Sequence, residues 1–259
     1  MTATDIGAFE EDGFTVARGL FSHEEIDRLC ARFTALHAAG PVPGHFAPRP
    51  SGDPLLAYPR VMHPHEIDDL ALRFLLDARL RDILESLFGE EVLAAQSMFY
   101  FKPPGARGQA LHQDNFYLRA EPGTCVAAWI ACDEIDRDNG GLEVVPGTHR
   151  MDVFCPEEAD PGVSFAREYV PPPPGLSAVP VDMAPGDVLF FNGSLVHGSQ
   201  PNLSADRFRR SFIGHYVGRS ADRIGSFYRT ITMSGERVPL AESAGAGLCG
   251  TEFAPHGPH

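Results

Sequence analysis

From residue 91 onward the chain is cut into short β-prone runs by turn-forming residues at close intervals, and this punctuation constrains the fold more than any other feature. The runs are Val92–Phe101, Gly123–Ala131, Leu142–Val145, Ala178–Val181, Val188–Phe191 and Ser211–Val217. Between them stand Pro103-Pro104-Gly105, Asp138-Asn139-Gly140, Pro146-Gly147 and Pro185-Gly186-Asp187. Proline fixes φ and glycine tolerates positive φ, which is what tight reversals require. Short strands spaced in this way pack as an antiparallel sandwich or barrel.

The first ninety residues read differently. Ser22 and Glu25 form a capping-box pattern, after which Ile26, Leu29, Cys30, Phe33 and Leu36 recur at helical spacing. A Pro/Gly-rich stretch from Gly40 to Pro54 interrupts it and reads as a mobile loop. Helical periodicity resumes with Leu70, Phe74, Leu75, Leu80, Ile83, Leu84 and Leu87, and Gly89 is a stop signal. The expectation for all 259 residues is one domain: a mainly helical support over 1–90, a β core over 91–218, and a flexible tail over 243–259. Residues 151–176, rich in proline, interrupt the core as a long insertion, of the kind that serves as a lid or as a plain surface connection.

Charge narrows the function. With 35 acidic against 21 basic residues, the net charge of -14 argues against a nucleic-acid surface and against docking on an anionic membrane. No apolar run is long enough for a membrane span, and the N-terminus lacks the pattern of a secretory signal. The cysteines at 30, 125, 132, 155 and 249 form no CxxC pair. They read as scattered interior thiols in a cytoplasmic protein rather than as a disulfide framework or zinc cluster.

His112-Gln113-Asp114 is the sharpest local signal. In an extended strand, residues two apart face the same side, so an imidazole and a carboxylate can converge on one ion. Such a pair alone is commonly chance. A second imidazole is available at His197, which follows Val188–Phe191 in an apolar setting. Two imidazoles and one carboxylate on one face of an octahedron leave positions open for a co-substrate and dioxygen, which suits non-haem Fe(II). Further on, Arg207-Phe208-Arg209-Arg210 is a basic cluster in an acidic chain. A co-substrate such as 2-oxoglutarate needs a bidentate partner for its distal carboxylate, and Arg is better suited to this than Lys. Strand alternation puts Arg209, Ser211 and Ile213 on one face and Arg210, Phe212 and Gly214 on the other.

These motifs occur in order with Lys102-Pro103-Pro104, Trp129, Asp138-Asn139-Gly140-Gly141, Val145-Pro146-Gly147-Thr148-His149 and His197-Gly198-Ser199. Together they make the stretch from Met98 to Arg210 resemble the phytanoyl-CoA dioxygenase family, which includes ectoine hydroxylases and many small-molecule tailoring enzymes. The resemblance implies a mainly β fold, a double-stranded β-helix (jelly roll) with N-terminal helices packed on one face. It implies His112, Asp114 and His197 as iron ligands. It also implies Arg209 as the partner of the distal carboxylate of 2-oxoglutarate, and Ser199 as a hydroxyl near it. Trp129 and Met98 match residues lining that pocket, and Arg60 a basic residue close by, although tryptophan and methionine are also ordinary core types. The span from His197 to the arginines is a residue longer than in relatives, so Arg210 stays open as the alternative to Arg209.

What the resemblance implies chemically is use of Fe(II), 2-oxoglutarate and O2 to hydroxylate an unactivated C–H bond of a small-molecule substrate, releasing succinate and CO2. Related halogenases carry Gly or Ala where Asp114 stands, so this carboxylate argues for oxygen transfer. Desaturation, cyclisation or epimerisation with the same cofactors is the alternative within this chemistry. A non-catalytic cupin-like metal-binding or sensor module is the alternative outside it. Asn115, Tyr117 and Tyr100 flank the metal motif and are expected to face substrate. His37, His45, His63, His65 and His215 show no partner pattern, and His149 reads as part of a turn.

Overall fold

Residues 3–243 are described by the computed structural model; apart from Ser243, the expected tail at 243–259 lies outside the described residues. Helices occupy most of the first ninety. They are α1 (Ala3–Asp12), α2 (His23–Ala39), α3 (Pro54–Ala57), α4 (Asp69–Leu75) and α5 (Ala78–Phe88), with a later short α6 (Asn115–Leu118). The first strands are β1 (Phe14–Ala17), β2 (Val61–Met62), β3 (Val92–Tyr100), β4 (Gln109–His112), β5 (Cys125–Ala131) and β6 (Leu142–Val144). There follow β7 (Glu157–Glu158), β8 (Glu168–Tyr169), β9 (Val179–Pro180), β10 (Val188–Asn192) and β11 (His197–Ser199). The last are β12 (Ser211–Gly218), β13 (Arg223–Ile224), β14 (Ile231–Thr232) and β15 (Ala241–Glu242).

Local chemistry accounts for the helix ends. Ser22 accepts the Glu25 backbone N–H while the Glu25 carboxylate accepts that of Ser22, which completes the capping box at the start of α2. Asp77 caps α5, and Gly89 ends it in the left-handed conformation at φ 71 that favours glycine. The helical pattern over 70–87 is two helices rather than one, because Asp77 starts a new helix where α4 stops.

Two antiparallel sheets face each other. The larger runs β1-β10-β5-β12-β3-β14, with β2 also paired to β3. The smaller runs β4-β11-β6-β9. This is a double-stranded β-helix. The larger sheet is buried on both faces, so its strands read as near-continuous apolar runs. The two-residue period still sorts them. Leu189, Phe191, Trp129 and Ile213 point toward the smaller sheet and meet Leu142 and Val144 there. Val188, Phe190, Ile130 and Phe212 point the other way, onto Leu29, Phe33, Leu80 and Leu84 of the helices. Phe33 stacks on Phe99 with centroids 3.9 Å apart. Each such ring withdrawn from water contributes about 1.5–3 kcal/mol.

The first ninety residues are mainly helical, and two short strands among them, β1 and β2, pair with β10 and β3 and extend the larger sheet. Two expectations need correction. The 151–176 insertion is not a bare loop: β7 and β8 pair within it, and it is hydrogen-bonded along β4. Cys30, Cys125 and Cys132 are free and buried as expected, but Cys155 is disulfide-bonded.

Candidate metal centre and its cavity

β4 and β11 pair so that His112 lies opposite His197, which brings two imidazoles side by side with centroids 4.3 Å apart. Each ring is oriented by its own backbone. His112 Nδ1 lies 2.8 Å from the Ala110 carbonyl, and His197 Nδ1 lies 3.0 Å from that of Leu195. A carbonyl only accepts, so both Nδ1 atoms carry the proton and both Nε2 lone pairs point away from the strands. The Gln109 side-chain amide, 3.1 Å from His112 Nε2, fits the same tautomer, since it can donate to that lone pair.

Asp114 arrives by a different route from the one the sequence suggested. β4 ends at His112, and Asp114 has helical φ and ψ at the N-cap of α6. The chain therefore turns the carboxylate toward the imidazoles instead of relying on strand alternation. Asp114 Oδ1 lies 3.4 Å from His112 Nε2 and 3.5 Å from His197 Nε2. Its Oδ2 accepts a hydrogen bond from His215 Nε2 at 2.9 Å. His215, on β12, thus has a definite partner that the sequence did not reveal. All four side chains are buried. Burial pulls the His197 pKa down to about 4, with the Asp114 carboxylate opposing, so the ring is neutral near pH 7 and able to bind a metal. Three donors held this close by backbone and by His215 fit a cation bound between them, as donors at right angles about 2.1 Å from an ion stand about 3 Å apart. The donor set of two imidazoles and one carboxylate is that of a non-haem Fe(II) centre.

The imidazoles line a cavity that Trp129, Ile213, Tyr100, Ser199 and Arg209 also line. Arg209 is 4% exposed, and no carboxylate is among its hydrogen-bond partners. It donates to the Gly140 carbonyl and Ser211 Oγ, and its guanidinium lies 5.4 Å from the Trp129 ring centroid. Burial lowers its pKa to about 10, which leaves it charged. Beside it is a second buried cation, Lys102, whose Nζ donates to Ser199 Oγ at 3.0 Å and to the Gly140 carbonyl at 2.9 Å. Burial and the nearby Arg209 hold the Lys102 pKa well below its ordinary value. Gly140 explains the Asp138-Asn139-Gly140-Gly141 turn: at φ 77, a Cβ there would stand 2.5 Å from the Gln200 carbonyl oxygen and 2.7 Å from Lys102 Nζ. Arg210 faces elsewhere and is ion-paired to Asp133 at 2.5 Å.

The remaining sequence candidates divide. Tyr100 lines the cavity, donates to Met98 Sδ at 3.6 Å, and accepts from the Arg60 guanidinium at 3.2 Å. Met98 packs in the inter-sheet core with Trp129 but does not line the cavity. Arg60 is half-buried over the ring of Phe165, which the insertion contributes to the cavity wall. Tyr117 donates to Glu168 at 3.0 Å and turns its ring edge to His112. Asn115 accepts the Ala120 N–H and stabilises the turn after α6, away from the cavity. Lys102, Gln109, Phe165 and His215 are the residues that sequence reasoning missed as site residues. Lys102 was visible as a motif, and Gln109 and His215 only through strand register.

A family model described as phytanoyl-CoA dioxygenase matches residues 9–211, a span that includes His112, Asp114, His197 and Arg209. The chain belongs to this family. Phytanoyl-CoA dioxygenase 1 of Oryza sativa is 31% identical over 147 residues, covering 54% of this chain and 50% of the relative. The peroxisomal phytanoyl-CoA dioxygenase of Mus musculus is 30% identical over 230 residues, covering 80% of this chain and 66% of the relative. The chain thus spans about half to two thirds of these relatives' own length. Among solved structures, the epimerase SnoN in complex with Fe3+, alpha ketoglutarate and nogalamycin RO shares the fold. Its TM-score is 0.66 at 22% identity, over 85% of this chain and 84% of that one. Among the described residues of this dioxygenase-family chain, no helix is long and apolar enough to cross a membrane.

Proposed function

We propose that this chain is an Fe(II)- and 2-oxoglutarate-dependent dioxygenase that hydroxylates an unactivated C–H bond of a small-molecule substrate. One observation carries the reading. His112 and His197 of the metal cluster line one cavity with Arg209 and Ser199; Arg209 has no carboxylate partner, and Lys102 reaches the cavity through its hydrogen bond to Ser199. A buried cation without an anion is costly, so this end of the cavity is built to receive one. His112, Asp114 and His197 hold the iron through Nε2, a carboxylate oxygen and Nε2, while His215 keeps the Asp114 carboxylate in position. Arg209 takes the distal carboxylate of 2-oxoglutarate in its planar fork, and Ser199 passes the charge of Lys102 to the same group. Trp129 stacks on Arg209 and keeps water from it. With iron bound, 2-oxoglutarate and O2 supply an oxidant for C–H bonds and leave as succinate, CO2 and the inserted oxygen. Tyr100, Arg60 and Phe165 form the wall where substrate enters.

The test is anaerobic addition of Fe(II) and 2-oxoglutarate, then air, with succinate measured against 2-oxoglutarate consumed. Wild type is expected to give equal amounts, stimulated when a panel of small metabolites includes a substrate. Asp114→Ala is expected to lose nearly all turnover. If Asp114→Ala turns over like wild type, the metal assignment is wrong. If wild type binds Fe(II) yet never forms succinate, the chain is a metal-binding module instead.

A further inference from the structure

A second set of two imidazoles and a carboxylate occurs in His63-Pro64-His65-Glu66, where β2 leads into α4. One ligand atom from each of His63, His65 and Glu66 lies within 4.8 Å of the others. The two rings meet edge to face with centroids 5.8 Å apart. The segment is built against β3. Ser97 Oγ accepts the His65 backbone N–H at 3.3 Å and contacts His65 Nδ1 at 2.7 Å, while the Ser97 carbonyl accepts the His63 N–H at 2.9 Å. Ser97 is next to Met98, whose side chain packs between the sheets, so by alternation Ser97 and the cluster lie on the opposite face of β3 from the cavity.

His63 has φ 48, the left-handed region that residues other than glycine rarely adopt. This reversal carries the chain into the single turn Pro64–Glu66 and brings the three ligand residues together. The His65 Nδ1 contact engages one ring nitrogen and leaves Nε2 as the one that could ligate, as when a ligating imidazole gives its other N–H to a fixed partner. Among the described residues, the His63 ring has no hydrogen-bond partner and the Glu66 carboxylate has neither a hydrogen bond nor an ion pair. Both half-buried rings are held neutral by burial, His65 with a pKa of about 4. His45, Arg229 and His215 are the other basic groups around His63, and Glu66 is the carboxylate that offsets them. Two neutral imidazoles, one carboxylate and an open side suit a borderline divalent cation.

We propose that His63, His65 and Glu66 form a second divalent-cation site of the zinc class, separate from the His112–Asp114–His197 cluster. The site pins the His63 reversal to Glu66 across one turn, and so fixes how β2 passes into α4. It stands independently of the oxygenase reading.

The probe is Co(II) alone, titrated into the full chain and read by calorimetry and by the visible absorption of bound Co(II). A His112→Ala/Asp114→Asn chain, checked as folded by circular dichroism, is expected to bind one Co(II). Adding His63→Ala and His65→Ala is expected to abolish that binding. Glu66→Gln, at an exposed position, is expected to weaken it by about tenfold or more. With the first cluster intact, His63→Ala/His65→Ala is expected to lower the Co(II) count from two to one, and the retained ion reports that this variant is folded. The site is overturned if the folded His112→Ala/Asp114→Asn chain binds no Co(II), or if its binding survives loss of His63 and His65.

Discussion

Arg209 and Arg210 are adjacent in sequence and opposite in environment. The first is buried over Trp129 with no carboxylate, and the second is satisfied by Asp133. Losing a charge-assisted bidentate pair removes about 1.5–3 kcal/mol, so Arg209→Ala is expected to raise the apparent 2-oxoglutarate constant roughly ten- to a hundredfold. Arg209→Lys keeps the charge but not the fork and is expected to fall between. Arg210→Ala is expected to leave the constant near wild type and to cost stability through its Asp133 contact. Titrating 2-oxoglutarate against the three variants checks this; a large effect at Arg210 with none at Arg209 refutes it. At this scale much of the site could be read from sequence, because His112, Asp114 and His197 are unusual residue types in apolar surroundings. The reason given for Asp114 was wrong, since it sits in a turn of helix and not on a strand. His215 was unreadable because it meets Asp114 only through the position of β12 in the larger sheet, where the pairing with β3 shifts between His215 and Tyr216.

Among the elements, the long strands were legible, since β3, β5, β10 and β12 each lie between the turn residues that bound them. β1 and β2 were not, being four and two residues long in a stretch dominated by helical periodicity. The 151–176 insertion shows what periodicity misses. Its Val163 carbonyl accepts the Gly108 N–H, its Phe165 and Val170 N–H groups donate to Gly108 and Leu111 carbonyls, and its Ser164 Oγ accepts the Ala110 N–H. These are non-local bonds that no local pattern encodes. They divide the segment into a part that lies along β4 and carries Phe165 to the cavity, and proline-rich ends without such bonds. Hydrogen exchange is therefore expected to be slow at Phe165 and Val170 and fast at Val153 and Gly175 in the absence of ligand, with little change at Phe165 when 2-oxoglutarate binds. Fast exchange at Phe165 and Val170, slowed by ligand, would instead make the whole insertion a closing lid.

At the scale of the molecule, the cluster is a joint between the two sheets. His112 and His197 belong to the smaller sheet, Asp114 to the turn that follows it, and His215, which holds Asp114, to the larger sheet. A cation that draws the three donors together therefore ties both sheets and is expected to stabilise the whole fold rather than a loop. A ligand that binds the folded chain and is present at a hundred times its dissociation constant adds about 2.7 kcal/mol. For a chain of this size each kcal/mol moves Tm by roughly 2–4 °C. Anaerobic Fe(II) is thus expected to raise Tm by about 5–11 °C, and a chelator to reverse it. Asp114→Asn keeps the shape and can still accept from His215, yet removes the charge that cation binding at this cluster requires, so its Fe(II)-dependent rise in Tm is expected to shrink to what the His63–His65–Glu66 site alone supplies. The contrast isolates the joint from the His63–His65–Glu66 site, which is intact in both proteins. An equal rise in wild type and Asp114→Asn would place the stabilising ion elsewhere, and the His112–Asp114–His197 cluster would then not be what binds the sheets together.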